Sequence, residues 1–362
     1  MRPTWAEIDL DSLIHNFNVV KGLLGEGVGV LSVVKADAYG HGAVEVGRAL
    51  EEAGTEMLGV ATVEEAVELR DYGAEKPILL LGGMRPDEAP LAAEYSLTPC
   101  LFSLDVAKSL DVESEKTGKK LPYHLKIDTG MTRLGVRPEE LGPFLSELAA
   151  NKNIIMEGAL THLASAFSES PDHTSSQLTE FAGIVRKLRE KGFTPRYVHT
   201  ANSAAIQRFP ESHLDLVRPG IMLYGSDGTS GLPLKPVMKL KSVVIQVRNV
   251  PAGTPVSYGG TFVTKRPSVI ATLPIGYADG YMRRLSNRAK VSIRGALAPV
   301  AGTVCMDLIT IDVTDVPGAS VGDEVVLFGD GLVSVDDVAR WADTISYEVL
   351  SNTGKRVPRR YV

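Results

Sequence analysis

Eight short apolar runs rich in β-branched residues, each followed by a stretch of helical periodicity, fill the first part of the chain. They span residues 28–34, 57–61, 78–81, 97–102, 123–127, 155–161, 196–199 and 216–218. Helical stretches lie between them. One at 62–72 opens with the capping-box pattern Thr62-Val63-Glu64-Glu65, and another at 172–191 is closed by Gly192. Strands that alternate with helices pair in parallel and are buried on both faces, so they read as continuous apolar runs. An open doubly wound sheet obeys the same rule, but eight units in about 220 residues favour a closed (β/α)8 barrel of the TIM type. The first strand is not followed by a glycine-rich dinucleotide fingerprint.

Beyond Gly231 the pattern changes. Segments 239–247, 268–273, 290–293, 309–313 and 324–328 read as strands, separated by turn signals such as Asp315-Val316-Pro317-Gly318. One clear helix is expected at 335–343, with Ser334 as its cap. The chain is therefore expected to hold a barrel over residues 1–230 and a mostly β domain over 231–362. The smaller core of the second domain leaves room for the strand around residues 6–10 to join it.

Bulk properties narrow the function. A net charge of -6 gives no electrostatic reason to expect nucleic acid or anionic lipid as a partner. Two cysteines, Cys100 and Cys305, cannot build a disulfide framework. Acids at Glu7 and Asp9 exclude a signal-peptide core from the first ten residues, and no apolar run approaches membrane-spanning length. The cytoplasm is the expected compartment, and neither a metal nor a membrane is an expected partner.

The unusual polar residues fall at the carboxyl ends of the barrel strands, the face where such barrels keep their active sites. The run Val30-Leu31-Ser32-Val33-Val34 empties into Lys35, whose desolvated amine is a usable nucleophile or base. Lys126 and Asp128 end the fifth strand, and Thr129-Gly130-Met131-Thr132-Arg133 forms the loop beyond. His162 ends the sixth, Thr200-Ala201-Asn202-Ser203 follows the seventh, and Arg218-Pro219-Gly220-Ile221 follows the eighth. A lone strand-end lysine normally snorkels to solvent, but five clusters on one face indicate a small-molecule site. The loops after strands seven and eight are the usual phosphate cradle of a barrel. There the Ser203 hydroxyl and the Gly220 and Ile221 amides are the expected donors. A phosphate cradle, a reactive lysine, an aromatic wall at Tyr39 and a placed arginine together suggest pyridoxal phosphate, its aldehyde held by Lys35.

With these residues in hand, the chain resembles the alanine racemases over nearly its whole length. The barrel motifs are Val34-Lys35-Ala36-Asp37-Ala38-Tyr39-Gly40-His41-Gly42, Lys126-Ile127-Asp128-Thr129-Gly130-Met131 and Val217-Arg218-Pro219-Gly220-Ile221. The second domain adds Gly276-Tyr277-Ala278-Asp279-Gly280, Val304-Cys305-Met306-Asp307 and Ile345-Ser346-Tyr347-Glu348-Val349. The resemblance implies a homodimer with shared sites, where Lys35 serves one face of the substrate and Tyr277 of the other chain serves the opposite face. It implies that Arg218 sits against the pyridine nitrogen with His162 in support, and that Tyr39, Ser203, Gly220, Ile221 and Tyr347 contact the phosphate. Arg133 and the Met306 backbone then lie near the substrate carboxylate. In some family members the lysine matching Lys126 is a carbamate. His41 and His199 are expected as structural neighbours and Cys305 as a lining residue.

Three departures from the family pattern stand out: Asp37 replaces a common Asn, Thr132 replaces a common Gly, and His162 is followed by Leu163-Ala164-Ser165-Ala166-Phe167-Ser168. The implied activity is interconversion of L- and D-alanine, supplying D-alanine for peptidoglycan. A broader racemase acting on serine or larger side chains is the alternative. A non-catalytic pyridoxal-phosphate carrier would have no use for Tyr277 or for a second domain, and the second-domain motifs also oppose a related decarboxylase.

Overall fold

A computed structural model describes residues 3–226 and 231–362. The chain divides into two compact units. One comprises Phe17–Ala38 and Ala43–Leu223, the other Met1–Asn16, Tyr39–Gly42 and Tyr224–Val362. The boundary expected at 230/231 adjoins residues 227–230, which lie outside the described residues.

Strand β1 (Thr4–Ile8) belongs to the second unit. The first unit is built on β2 (Gly29–Val33), β3 (Met57–Val60), β4 (Ile78–Leu80), β5 (Leu97–Leu101), β6 (Leu121–Lys126), β7 (Ile154–Leu160), β8 (Tyr197–His199) and β9 (Leu216–Val217). All eight apolar runs of the sequence thus become strands. They form one parallel sheet in the order β8-β7-β6-β5-β4-β3-β2-β9. Every residue of β2, β3, β4 and β5 is buried, as a sheet covered on both faces requires. The seam between the two end strands nearly closes. Asp215 donates its amide to the Val198 carbonyl at 3.0 Å, and Arg218 donates its amide to Ala201 at 2.9 Å. The result is the (β/α)8 barrel expected from the alternation.

The second unit is mostly β. Its six-stranded sheet runs Ala296–Pro299, Lys290–Ile293, Glu324–Phe328, Met238–Val243, β1, Arg359–Tyr361. Strand β1 pairs antiparallel with Met238–Val243, and the Thr4 and Ser242 hydroxyls meet at 2.8 Å inside the sheet. A second sheet joins Gln246–Val250, Ser268–Leu273 and Ile309–Asp312. The single strand expected at 239–247 is therefore two. The backbone changes partners at its middle, where Val244 donates to Asp323 and Ile245 donates to Thr272, each at 2.9 Å. Ser334 caps Val335–Ala342 in a reciprocal box with Asp337. The six-residue helix Ser346–Ser351 is too short for its periodicity to register in the sequence. Among the described residues no helix is long and apolar enough to cross a membrane.

Candidate active site

Directly after Lys35 the backbone turns the wrong way for L-amino acids. Ala36, Asp37, Ala38 and Tyr39 have φ of 54°, 54°, 50° and 53°, so one turn of left-handed helix follows the lysine, with Ala38 donating to the Val34 carbonyl at 2.8 Å. Each such residue costs about 1–2 kcal/mol in its own backbone energy, so the surroundings must hold the turn in place. Glu65 does this with both oxygens, accepting the Ala36 amide through Oε1 and the Ala61 amide through Oε2, each at 2.7 Å. Asp37 adds a bond from the Ala43 amide at 2.8 Å, a role its short side chain shares with asparagine. The capping box read from the sequence is thus only half made. Thr62 accepts the Glu65 amide at 3.4 Å, but the Glu65 carboxylate has turned to the Lys35 loop. The glycines that follow do not open room for a ligand at Gly40. With φ 81°, a Cβ there would lie 2.3 Å from the Leu350 carbonyl oxygen, so Gly40 admits the protein's own backbone.

The barrel unit gathers basic groups at the strand ends. Burial lowers the Lys35 amine below the usual lysine range, Arg133 lowers it further, and Glu65 pulls the other way. Lys126 is 6% exposed and donates to the Leu81 carbonyl at 3.1 Å. Burial lowers its amine, and Arg218, Arg133 and Lys35 add to the effect. Arg218 is buried, which brings it down to about 10. Its guanidinium donates to the Thr161 and Thr200 carbonyls at 2.8 and 2.9 Å, to His199 Nδ1 at 2.9 Å and to His162 Nδ1 at 3.4 Å. His162 is pushed down to about 3, first by burial and then by Arg218, Arg133, Lys126 and Lys35, so its imidazole is neutral. The carboxylate that acts on Lys35 is Glu65, whose oxygens are already engaged by amides. For Lys126 and Arg218 the opposing group is Cys100, whose thiol burial pushes up to about 11.

Lys35, Lys126, Arg133, His162 and Arg218 are thus brought together. On the same barrel, Ser203 opens the helix Ser203–Arg208 behind the N-cap Asn202, which accepts the Ala205 amide at 3.1 Å. Ser203 Oγ accepts the Gly220 amide at 2.9 Å. That amide was expected to face a phosphate; here it holds the serine, whose own hydroxyl proton is left to donate. Ile221 is buried and begins the turn Ile221–Tyr224. A concentration of positive charge with its carboxylate already engaged, beside a serine hydroxyl on a barrel loop, fits an anionic cofactor that carries a phosphate.

The second unit holds two further clusters. The Tyr39 ring lies 4.7 Å from Tyr224 and 5.9 Å from Tyr347. Burial raises the Tyr39 hydroxyl well above its usual range and brings Tyr347 up to about 12, so both are protonated donors at neutral pH. Elsewhere Tyr277 and Met306 share one surface patch, 43% and 53% exposed. Tyr277 donates its amide to Cys305 and Ala278 donates to Met306, each at 3.0 Å. The buried Asp279 accepts the Gly276 amide at 3.0 Å and pairs with Arg356 at 3.5 Å, which fixes the loop. Among the described residues no group of three or more His, Cys, Asp or Glu side chains could hold a metal ion. His199 is a neighbour, as expected, whereas His124 and Glu157 lie in no motif of the sequence. The one available signal was a histidine inside the buried run of β6.

Known proteins agree over the full chain. The alanine racemase N-terminal domain family matches residues 8–228 and the C-terminal domain family matches residues 237–361. An alanine racemase of Halothermothrix orenii is 47% identical over 99% of this chain and 97% of its own length. The solved alanine racemase of Clostridium difficile 630 superposes with a TM-score of 0.95 at 40% identity, covering 100% of this chain and 96% of its own. The Bartonella henselae alanine racemase, solved with covalently bound pyridoxal phosphate, gives 0.91 at 34% identity over 100% of both chains.

One departure from the family pattern acquires a physical meaning. Thr132, where the resemblance led to an expectation of glycine, sits at φ 54°. Its amide donates to Asp128 Oδ1 at 3.0 Å, a bond that glycine keeps. Thr132→Gly is expected to stabilise the protein by about 1 kcal/mol, the left-handed penalty less the added freedom of the unfolded glycine. Urea unfolding of the two proteins measures the difference, and a loss of stability would contradict the reading.

Proposed function

The chain belongs to the alanine racemase family, and from that membership we propose the residue roles, cofactor and assembly through which it interconverts L- and D-alanine. The observation that supports the reading most is the cationic cluster around Lys35, which Glu65 offsets only in part. Pyridoxal phosphate is the cofactor of this reading; it would be held by Lys35 through its aldehyde, by Arg218 and His162 at its ring, and by Tyr39, Ser203, Ile221 and Tyr347 at its phosphate, with the Gly220 amide setting the Ser203 hydroxyl. When bound, it supplies an electron sink conjugated to the α-carbon of the amino acid.

A racemase removes a proton from one face of a carbon and returns one to the other, so it needs an acid/base group on each side. Lys35 is suited to one side. Burial and Arg133 lower its amine, which raises the neutral share able to accept a proton at Nζ. Tyr277 serves the other side through its hydroxyl. A tyrosine hydroxyl acts as a base near neutral pH only in a cationic surrounding. A homodimer in which Tyr277 and Met306 of one chain complete the site around Lys35 of the other supplies it. Arg218 keeps its proton near neutral pH, so it would hold the ring nitrogen of the cofactor without protonating it. Arg133 and the Met306 backbone bind the substrate carboxylate.

Lys126 is a candidate for carbamylation. Its lowered amine has a larger neutral fraction, which adds to CO2 with loss of a proton and leaves a negative charge to orient Arg133. A bound chloride is the alternative counter-charge. The biological role of this reading is supply of D-alanine for peptidoglycan in the cytoplasm.

Chiral analysis of products tests the activity. The protein loaded with pyridoxal phosphate should convert L-alanine to an equal mixture of enantiomers, with L-serine and L-lysine at least about tenfold slower, the discrimination a size-matched pocket supplies. Equal rates on L-lysine would support the broader racemase, and no D-alanine would overturn the assignment.

Subunit exchange tests the shared site. When inactive Lys35→Ala and Tyr277→Phe proteins are mixed in equal amounts and reassembled, half the dimers are mixed. One of the two sites in each carries neither lesion. Activity should return to about a quarter of wild type. No recovery after proven exchange would place both residues of each site on one chain.

A further inference from the structure

A line of four polar side chains runs through the interior of the barrel unit from Arg218. Arg218 Nη1 lies 2.9 Å from His199 Nδ1. His199 Nε2 lies 2.8 Å from His124 Nδ1, with both rings buried. His124 Nε2 faces Glu157 Oε2 at 3.5 Å. Among the described residues those two buried atoms have no other hydrogen-bond partner, so each is the available partner of the other. The Glu157 side chain is 25% exposed, so the line reaches solvent. Gly158 makes room for it, since a Cβ there would lie 2.6 Å from the His124 ring.

The direction of every bond in the line follows from its first member. A guanidinium only donates, so His199 Nδ1 accepts and carries no proton. Burial, foremost among the causes, lowers His199 well below the usual histidine range, so the ring is neutral and its proton is on Nε2. That proton is donated to His124 Nδ1, which must therefore be bare. Burial also lowers His124, so its proton sits on Nε2 and points at the Glu157 carboxylate. A cationic His124 would set two N–H groups against each other across 2.8 Å.

We propose that Glu157 is a positioning residue for Arg218, acting through His124 and His199 as a one-directional hydrogen-bond relay. The carboxylate supplies a remote counter-charge for a buried guanidinium that, among the described residues, has no carboxylate partner. Because it stands two imidazoles away, it orients Arg218 without drawing it into an ion pair, so the groups around the cofactor ring keep their excess positive charge. The consequence for catalysis rests on the proposed placement of Arg218 at the ring nitrogen; the relay itself does not.

Histidine-selective 15N labelling of the full-length protein tests the relay directly. Long-range 1H–15N spectra at neutral pH should show His124 and His199 neutral, each with its proton on Nε2. A proton on Nδ1 of either ring, or a cationic ring, overturns the proposal. This needs no variant and no assumption about the cofactor. In Glu157→Gln, which keeps an acceptor oxygen and removes the charge, the His199 nitrogen resonances should shift although Glu157 does not touch His199. In the enzyme loaded with pyridoxal phosphate, kcat for alanine should fall about fivefold with KM within twofold, since polarisation along a buried chain passes only in part. If His124 alone shifts, while His199 and kcat stay at wild-type values, the relay is refuted. Shifted His199 resonances with unchanged kcat would keep the relay and refute the placement of Arg218.

Discussion

The barrel holds Lys35, Lys126, Arg133 and Arg218 close enough to perturb one another, and the carboxylate among them, Glu65, is tied up by two backbone amides. Positive charge in a poorly solvated place raises the free energy of every protonated amine there. The protein lets the lysines fall in pKa and keeps His162 neutral. Its imidazole titrates at about 3 when folded against about 6.5 when unfolded, so the stability it contributes is present above about pH 6.5. It is lost as the pH falls toward 3, where the folded ring must finally accept a proton. An anion entering the site would relieve the same repulsion.

The left-handed turn at Ala36–Tyr39 shows what this costs the backbone. Four consecutive residues other than glycine sit at positive φ immediately after Lys35. Such a run persists only where the surroundings over-determine it, and such runs concentrate at functional sites. Glu65 is what over-determines it, and the same carboxylate is the group that partly offsets the charge on Lys35. One residue therefore couples the conformation of the loop to the protonation of its amine.

The barrel was legible because a parallel sheet covered on both faces writes continuous apolar runs, and all eight became strands. The cluster of basic residues at the barrel strand ends was legible for the same reason, since a charged residue closing such a run is conspicuous, as at Lys35, Lys126 and Arg218. The left-handed turn was hidden because its first three residues are Ala36, Asp37 and Ala38, with no glycine to announce a positive φ. The switch between sheets at Val244-Ile245 was hidden by an apolar pattern that continues unbroken while the hydrogen-bond partners change. His124 and Glu157 were missed because their roles come from pairing across strands far apart in sequence, which periodicity does not encode.

The central claim is that the cationic cluster exists to present Lys35 to an anionic aldehyde. The most direct measurement is reduction of the pyridoxal-phosphate-loaded protein with borohydride, followed by peptide mapping. The account predicts one stoichiometric phosphopyridoxyl adduct per chain, on the peptide carrying Lys35, and none on that peptide in Lys35→Ala. Labelling spread over surface lysines, or a principal adduct on Lys126, would contradict it.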